Sequence, residues 1–179
     1  MNSATIRKGA RCVLLGLILL TIALGCGGGD GPSDYERAKK TQTDAVAALQ
    51  QVGGKVVEFR HPKGDAWKVQ LPGVQFTDET FAHLQALGRI AGLNLSKSSV
   101  TDADMPKINE IGKLFLELDL SYTAVTDAGL DALTDLYVLG DLNLVGSKAT
   151  PAGVARFLQA RQSNPKVHAL RKNPKVQLR

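Results

Sequence analysis

The chain has 179 residues, of which 44% are hydrophobic, with 22 basic and 17 acidic side chains and only two cysteines. That length is one domain's worth and can bury a real core, while two cysteines leave no framework of disulfides or cysteine-held metals. The formal charge of +5 is misleading as a sign of nucleic-acid binding, because the charge is unevenly spread. Residues 26–141 carry 11 basic and 17 acidic side chains, whereas residues 142–179 carry 8 basic and no acidic ones. A nucleic-acid-binding domain needs its basic face on the main body, and here the main body is acidic.

Arg7, Lys8 and Arg11 precede an uncharged run from Cys12 to Leu24. That run is shorter than the roughly 20 residues of a membrane-spanning helix and suits the hydrophobic region of a signal peptide. It ends in Ala23-Leu24-Gly25-Cys26, which resembles the lipobox of bacterial lipoproteins. The resemblance implies cleavage of residues 1–25 before Cys26 and lipidation of the Cys26 thiol. Residues 26–32, CGGGDGP, are too glycine-rich to pack and read as a tether. With Cys12 removed and Cys26 acylated, no thiol remains for a disulfide, metal or nucleophile. The expected location is therefore outside the cytoplasm: secreted across the inner membrane and lipid-anchored in the cell envelope, on the periplasmic or outer-membrane side.

Ser33-Asp34-Tyr35-Glu36 has the capping-box form, which predicts a helix from there to Val52, stopped by Gly53-Gly54. KVVEF at 55–59 predicts a strand beside the segment that begins at residue 66. Residues 33–65 are thus an N-terminal helix and capping strand.

Four phrases then align without gaps: AWKVQLPGVQFT (66–77), IAGLNLSKSSVT (90–101), FLELDLSYTAVT (115–126) and LGDLNLVGSKAT (139–150). Their final threonines are 24, 25 and 24 residues apart, a period that marks leucine-rich repeats. In each unit the residues flanking the middle position (Val69/Leu71, Leu93/Leu95, Leu118/Leu120, Leu142/Leu144) point to one side of a strand. Gln70, Asn94, Asp119 and Asn143 point to the other, where packing does not require them. Ser98, Thr123 and Ser147 can bond the backbone as the chain leaves the strand; Val74 cannot.

Thr77, Thr101, Thr126 and Thr150 read as helix N-caps whose hydroxyls accept a backbone N–H. Asp78, Asp102 and Asp127 come next, where negative charge suits a helix start, and Pro151 suits the same place in the fourth unit. Apolar residues four, seven and ten after each threonine form a helical stripe: Phe81/Leu84/Leu87, Met105/Ile108/Ile111, Leu130/Leu133/Leu136 and Val154/Phe157/Ala160. KVHAL at 166–170 predicts a last strand, leaving a basic tail, 171–179, that frays.

Val125-Thr126-Asp127-Ala128-Gly129-Leu130 is the phrase by which residues 66–160 resemble leucine-rich-repeat proteins of the ribonuclease-inhibitor or cysteine-containing type. The resemblance implies an α/β fold: a short right-handed solenoid spanning 66–170, with parallel strands on the concave face, helices on the convex face and the N-terminal helix as a cap. It also implies binding of a protein or peptide through the concave face, without fixing the partner.

No metal-ligating or catalytic spacing involves His61, His83 or His168, and no cofactor motif is present. The chain therefore reads as a non-catalytic binding module. The expected partner-binding residues are Asn94, Glu117, Asp119, Tyr122, Asp141 and Asn143. Glu117, Asp119 and Asp141 would form an acidic patch on adjacent strands, with Tyr122 as an anchor at a strand exit. An alternative is a structural or adhesion protein of the envelope whose basic 142–179 end contacts anionic cell-wall or lipid groups.

Overall fold

In the computed structural model the described residues are 33–60, 64–111, 114–167 and 173–179. Residues 1–32, on which the expected signal peptide, Cys26 and the tether fall, and His61 and His168 lie outside them. The fold is α/β. Helix α1 (Asp34–Gln51) is followed by strands β1 (Lys55–Phe59) and β2 (Ala66–Gln70), helix α2 (Asp78–Leu87), strand β3 (Ile90–Asn94) and helix α3 (Met105–Ile111). Strand β4 (Leu114–Asp119), helix α4 (Asp127–Ala132), strand β5 (Val138–Asn143), helix α5 (Pro151–Ser163) and strand β6 (Lys175–Gln177) complete it. The six strands make one sheet in sequence order. Strand β1 pairs antiparallel with β2, and every later neighbour is parallel.

Local chemistry accounts for the elements. Ser33 caps α1 with the expected box: its hydroxyl accepts from the Glu36 N–H, and the Glu36 carboxylate accepts from the Ser33 N–H, both at 3.2 Å. The chain then leaves α1 through Gly53 at φ 87°. Beyond it, Gly54 lies so close to the end of α1 and to Leu71 that a Cβ there would overlap both. The eight flanking residues of the repeats are all buried, as the period-two reading requires. They meet Leu84, Leu87, Met105, Ile108, Leu130, Leu133 and Phe157 from the helices in one continuous core.

Three details differ from expectation. The last strand is Lys175–Gln177, paired parallel with β5; Pro165 and Lys166 form a turn that the Val167 N–H closes onto the Asn164 carbonyl, and residues 168–170 lie outside the described residues. The segment read as a fraying tail therefore supplies an edge strand, which satisfies the outer backbone groups of β5. In α5 the stripe does not continue to Ala160, which is exposed; Arg161 is fully buried instead. Its guanidinium donates to the carbonyls of Leu133, Thr134 and Leu136 at 3.2, 3.4 and 2.9 Å. These carbonyls belong to the turn that follows α4 and to the stretch that leads into β5, and a cation from the next unit reaches back to them. Burial pushes the Arg161 guanidinium down to about 10, so it stays charged at neutral pH.

The third difference concerns the Thr-Asp pairs. The hydroxyls of Thr77, Thr126 and Thr150 accept from the N–H groups of Thr80, Ala128 and Gly153, as N-caps do. Thr101 behaves differently: its N–H and hydroxyl both donate to the Asp104 carboxylate at 3.0 Å. Asp102 and Asp127 do more than sit at a helix start. Asp102 accepts from the N–H and hydroxyl of Thr126 in the next unit, at 2.8 and 2.6 Å. Asp127 accepts likewise from Thr150, at 2.7 and 2.8 Å. Each carboxylate lies against a glycine, Gly129 or Gly153, where any Cβ would overlap it. The phrase Thr-Asp-Ala-Gly is thus an interlock, its aspartate reaching forward and its glycine making room for the aspartate behind. The bonds from Thr150 hold the Asp127 carboxyl below its ordinary value of 3.8. What they contribute to stability is present above that value and is lost as pH falls through the lower folded one.

Candidate functional site

The open face of the sheet carries two rows of side chains in register across all six strands. One row is Lys55, Gln70, Asn94, Asp119, Asn143 and Gln177; the other is Val57, Lys68, Gly92, Glu117, Asp141 and Lys175. Neighbours along a row are about 4.8 Å apart. Between β2 and β6 these rows line a shallow groove of about 240 Å3.

The structure places five of the six expected binding residues, Asn94, Glu117, Asp119, Asp141 and Asn143, on this groove. Tyr122 is not among its lining residues. It stands in the turn after β4, at φ 57°, with its side chain largely exposed. The equivalent residues of the other units are Gly73, Lys97 and Gly146, all with positive φ. A left-handed turn recurs here, and a side chain in it costs about 1 kcal/mol relative to glycine. The Tyr122 ring covers Gly146, where a Cβ would fall 2.6 Å from it, and the Lys97 ammonium lies 5.7 Å from the ring centre.

The middle residues of the strands are not free for a partner in the way the period-two pattern suggests. Asn94, Asp119 and Asn143 each turn back to accept the N–H two residues on, from Ser96, Ser121 and Val145, at 2.9, 2.9 and 3.1 Å. Asp119 also accepts from the Ser121 hydroxyl at 2.6 Å and from the Asn143 amide at 3.1 Å. Just beyond, the Ser98 and Thr123 hydroxyls donate to the carbonyls of Leu95 and Leu120, each at 2.6 Å. Ser147 instead accepts from the Ala149 N–H. These side chains shape the strand exits.

Nor is the face acidic. Lys68 reaches across β3 to Glu117, with its Nζ 2.9 and 3.2 Å from the two carboxylate oxygens. Gly92 lies beneath this bridge, and a Cβ there would press on the Lys68 stem at 3.3 Å. Lys175 stands in register with Asp141. Counting Lys55 and Asp119, the two rows hold equal numbers of cations and anions. Sequence reasoning missed this because Lys68 and Lys175 are far from Glu117 and Asp141 in the chain. Alternation does place Lys68 on the outward face, and that was the one available signal.

Among the described residues, no group of three or more His, Cys, Asp or Glu side chains is placed to hold a metal ion. His83 lies on α2 with Glu79, 3.7 Å away. No described helix is long and apolar enough to cross a membrane. Compared with protein-family models and with curated proteins, the chain matches none.

Proposed function

We propose that this is a lipid-anchored leucine-rich-repeat module, a short right-handed solenoid that binds another protein in the bacterial cell envelope without catalysis. The observation that carries the binding reading is the open sheet face, where polar and charged side chains stand in two registered rows along a groove. Such a surface recognises an extended polypeptide by hydrogen bonds and paired charges. Because its charges balance, steering by a single-signed partner is weak and salt should change the affinity little. Among the described residues of the two rows, the polar side chains that make no hydrogen bond or ion pair within the fold are Lys55, Gln70, Asp141, Lys175 and Gln177.

Photo-cross-linking from the full chain in its own cells tests the surface. A cross-linking residue at Gln70 or Gln177 is expected to trap a discrete protein partner, and the same residue at Gln159 on α5 is expected to trap none. Trapping only from Gln159 would place the contact on the helices. Trapping only from Lys148 or Arg179 would favour adhesion through the basic end.

The anchor rests on the lipobox resemblance and on the glycine-rich tether. One acyl chain holds a protein to a membrane only marginally, so firm attachment needs two or more. Cys26→Ala is expected to move the protein to the soluble fraction or to leave an uncleaved precursor. Membrane retention of a cleaved Cys26→Ala chain would refute the anchor.

A further inference from the structure

The three junctions between successive repeats share the same backbone turn ladder. Gly73, Lys97 and Tyr122 each donate an N–H to a carbonyl of the next unit, at 2.7, 2.8 and 2.8 Å. They do not share the same side-chain lock. The second and third junctions are closed by Asp102 on Thr126 and Asp127 on Thr150, each carboxylate making two short bonds over a glycine. At the first junction the equivalent carboxylate is Asp78 and its target is Thr101. The place of the glycine is taken by Asp104, whose own carboxylate already holds Thr101. Asp78 turns instead to Lys107.

Two further features fall at the same junction. The β2–β3 ladder shifts register between Trp67 and Lys68. Among the described residues one neutral side-chain bond crosses the junction, from the Phe76 N–H to the Ser99 hydroxyl at 2.9 Å; the other bridge, Lys68 over β3 to Glu117 of the third unit, is again an ion pair, 36% and 57% exposed. Exposed ion pairs are weak and are screened by salt, whereas a two-bond carboxylate clamp on backbone and hydroxyl is short-ranged. We propose that the junction between the first and second repeats is a built-in seam: residues 34–88 open from the rest as one unit, and a salt-sensitive latch of Lys68–Glu117 and Asp78–Lys107 adds to the core contacts, the β2–β3 ladder and the Ser99–Phe76 bond in holding it shut. The groove takes lining residues from both sides of this seam, so a segment bound across it would hold the seam shut. The seam itself does not depend on what the groove binds.

Native-state amide exchange on the intact chain, read by mass spectrometry, tests it. Amides in α2 and β2 are expected to exchange faster than those in β4 and β5. Raising NaCl to about 0.5 M should speed the first group about three- to tenfold and leave the second nearly unchanged. Lys107→Ala should mimic the salt effect. Asp104→Gly restores the glycine, frees Thr101 for Asp78, and should slow exchange in α2 and β2. Gly129→Ala should evict Asp102 and move the opening boundary to the next junction, between α3 and β4. Equal exchange on both sides of the seam with equal response to salt would overturn the proposal. So would an Asp104→Gly chain that folds but exchanges faster in α2 and β2.

Discussion

Leu120→Ala is expected to lower stability by about 2–5 kcal/mol, the range for emptying a fully buried leucine site. Leu120 has no exposed surface and closes the β4 column between Leu95 and Leu144. Its neighbours on both sides are held by strands that already pair on two edges, so the gap cannot collapse far. Asp119→Ala, one residue earlier, faces the groove, and its loss should be smaller but real, about 1–2 kcal/mol. The carboxylate holds the Ser121 N–H, the Ser121 hydroxyl and the Asn143 amide, and removing an acceptor leaves its donors short of a partner. Urea denaturation of both variants decides the matter. A smaller loss for Leu120→Ala than for Asp119→Ala would place the strand one residue out of register.

Arg161→Met is expected to cost about 2–4 kcal/mol, although methionine fills much the same space. Replacing both members of a buried ion pair by apolar groups is often harmless, because nothing unsatisfied is left behind. Arg161 differs, because its partners are the backbone carbonyls of Leu133, Thr134 and Leu136, which no side-chain substitution removes. Arg161→Lys keeps the charge but not the fork, and should fall between Met and wild type. The midpoint in urea should drop while its slope stays the same. An unchanged midpoint for Arg161→Met would show that water can serve those carbonyls.

The α/β class, the repeat period, the capping box at Ser33, the first five strands and the strand columns of the core were legible because each obeys local rules. Periods of two and 3.6 residues fix which side of a strand or helix is apolar, and the 24- and 25-residue spacing of the threonines sets the units side by side. Glycine and hydroxyl residues mark where each element stops. The candidate surface was legible only as a list of outward positions. Five of the six residues do line the groove, because alternation alone puts them there.

What those side chains do depends on neighbours brought together by the sheet. Lys68 meets Glu117 across Gly92, 49 residues apart in the chain. Asp127 meets Thr150, and Arg161 meets Leu133, because stacking places one repeat against the next. The strand at Lys175–Gln177 forms because β5 offers an edge whose backbone groups need partners. By itself the sequence determined the elements up to α5, most of their apolar faces and their repeat. Only the tertiary structure decided which polar groups were consumed in holding the units together, because hydrogen bonds and ion pairs are set by distance in space, and residues a full repeat apart become neighbours only after the apolar faces have stacked.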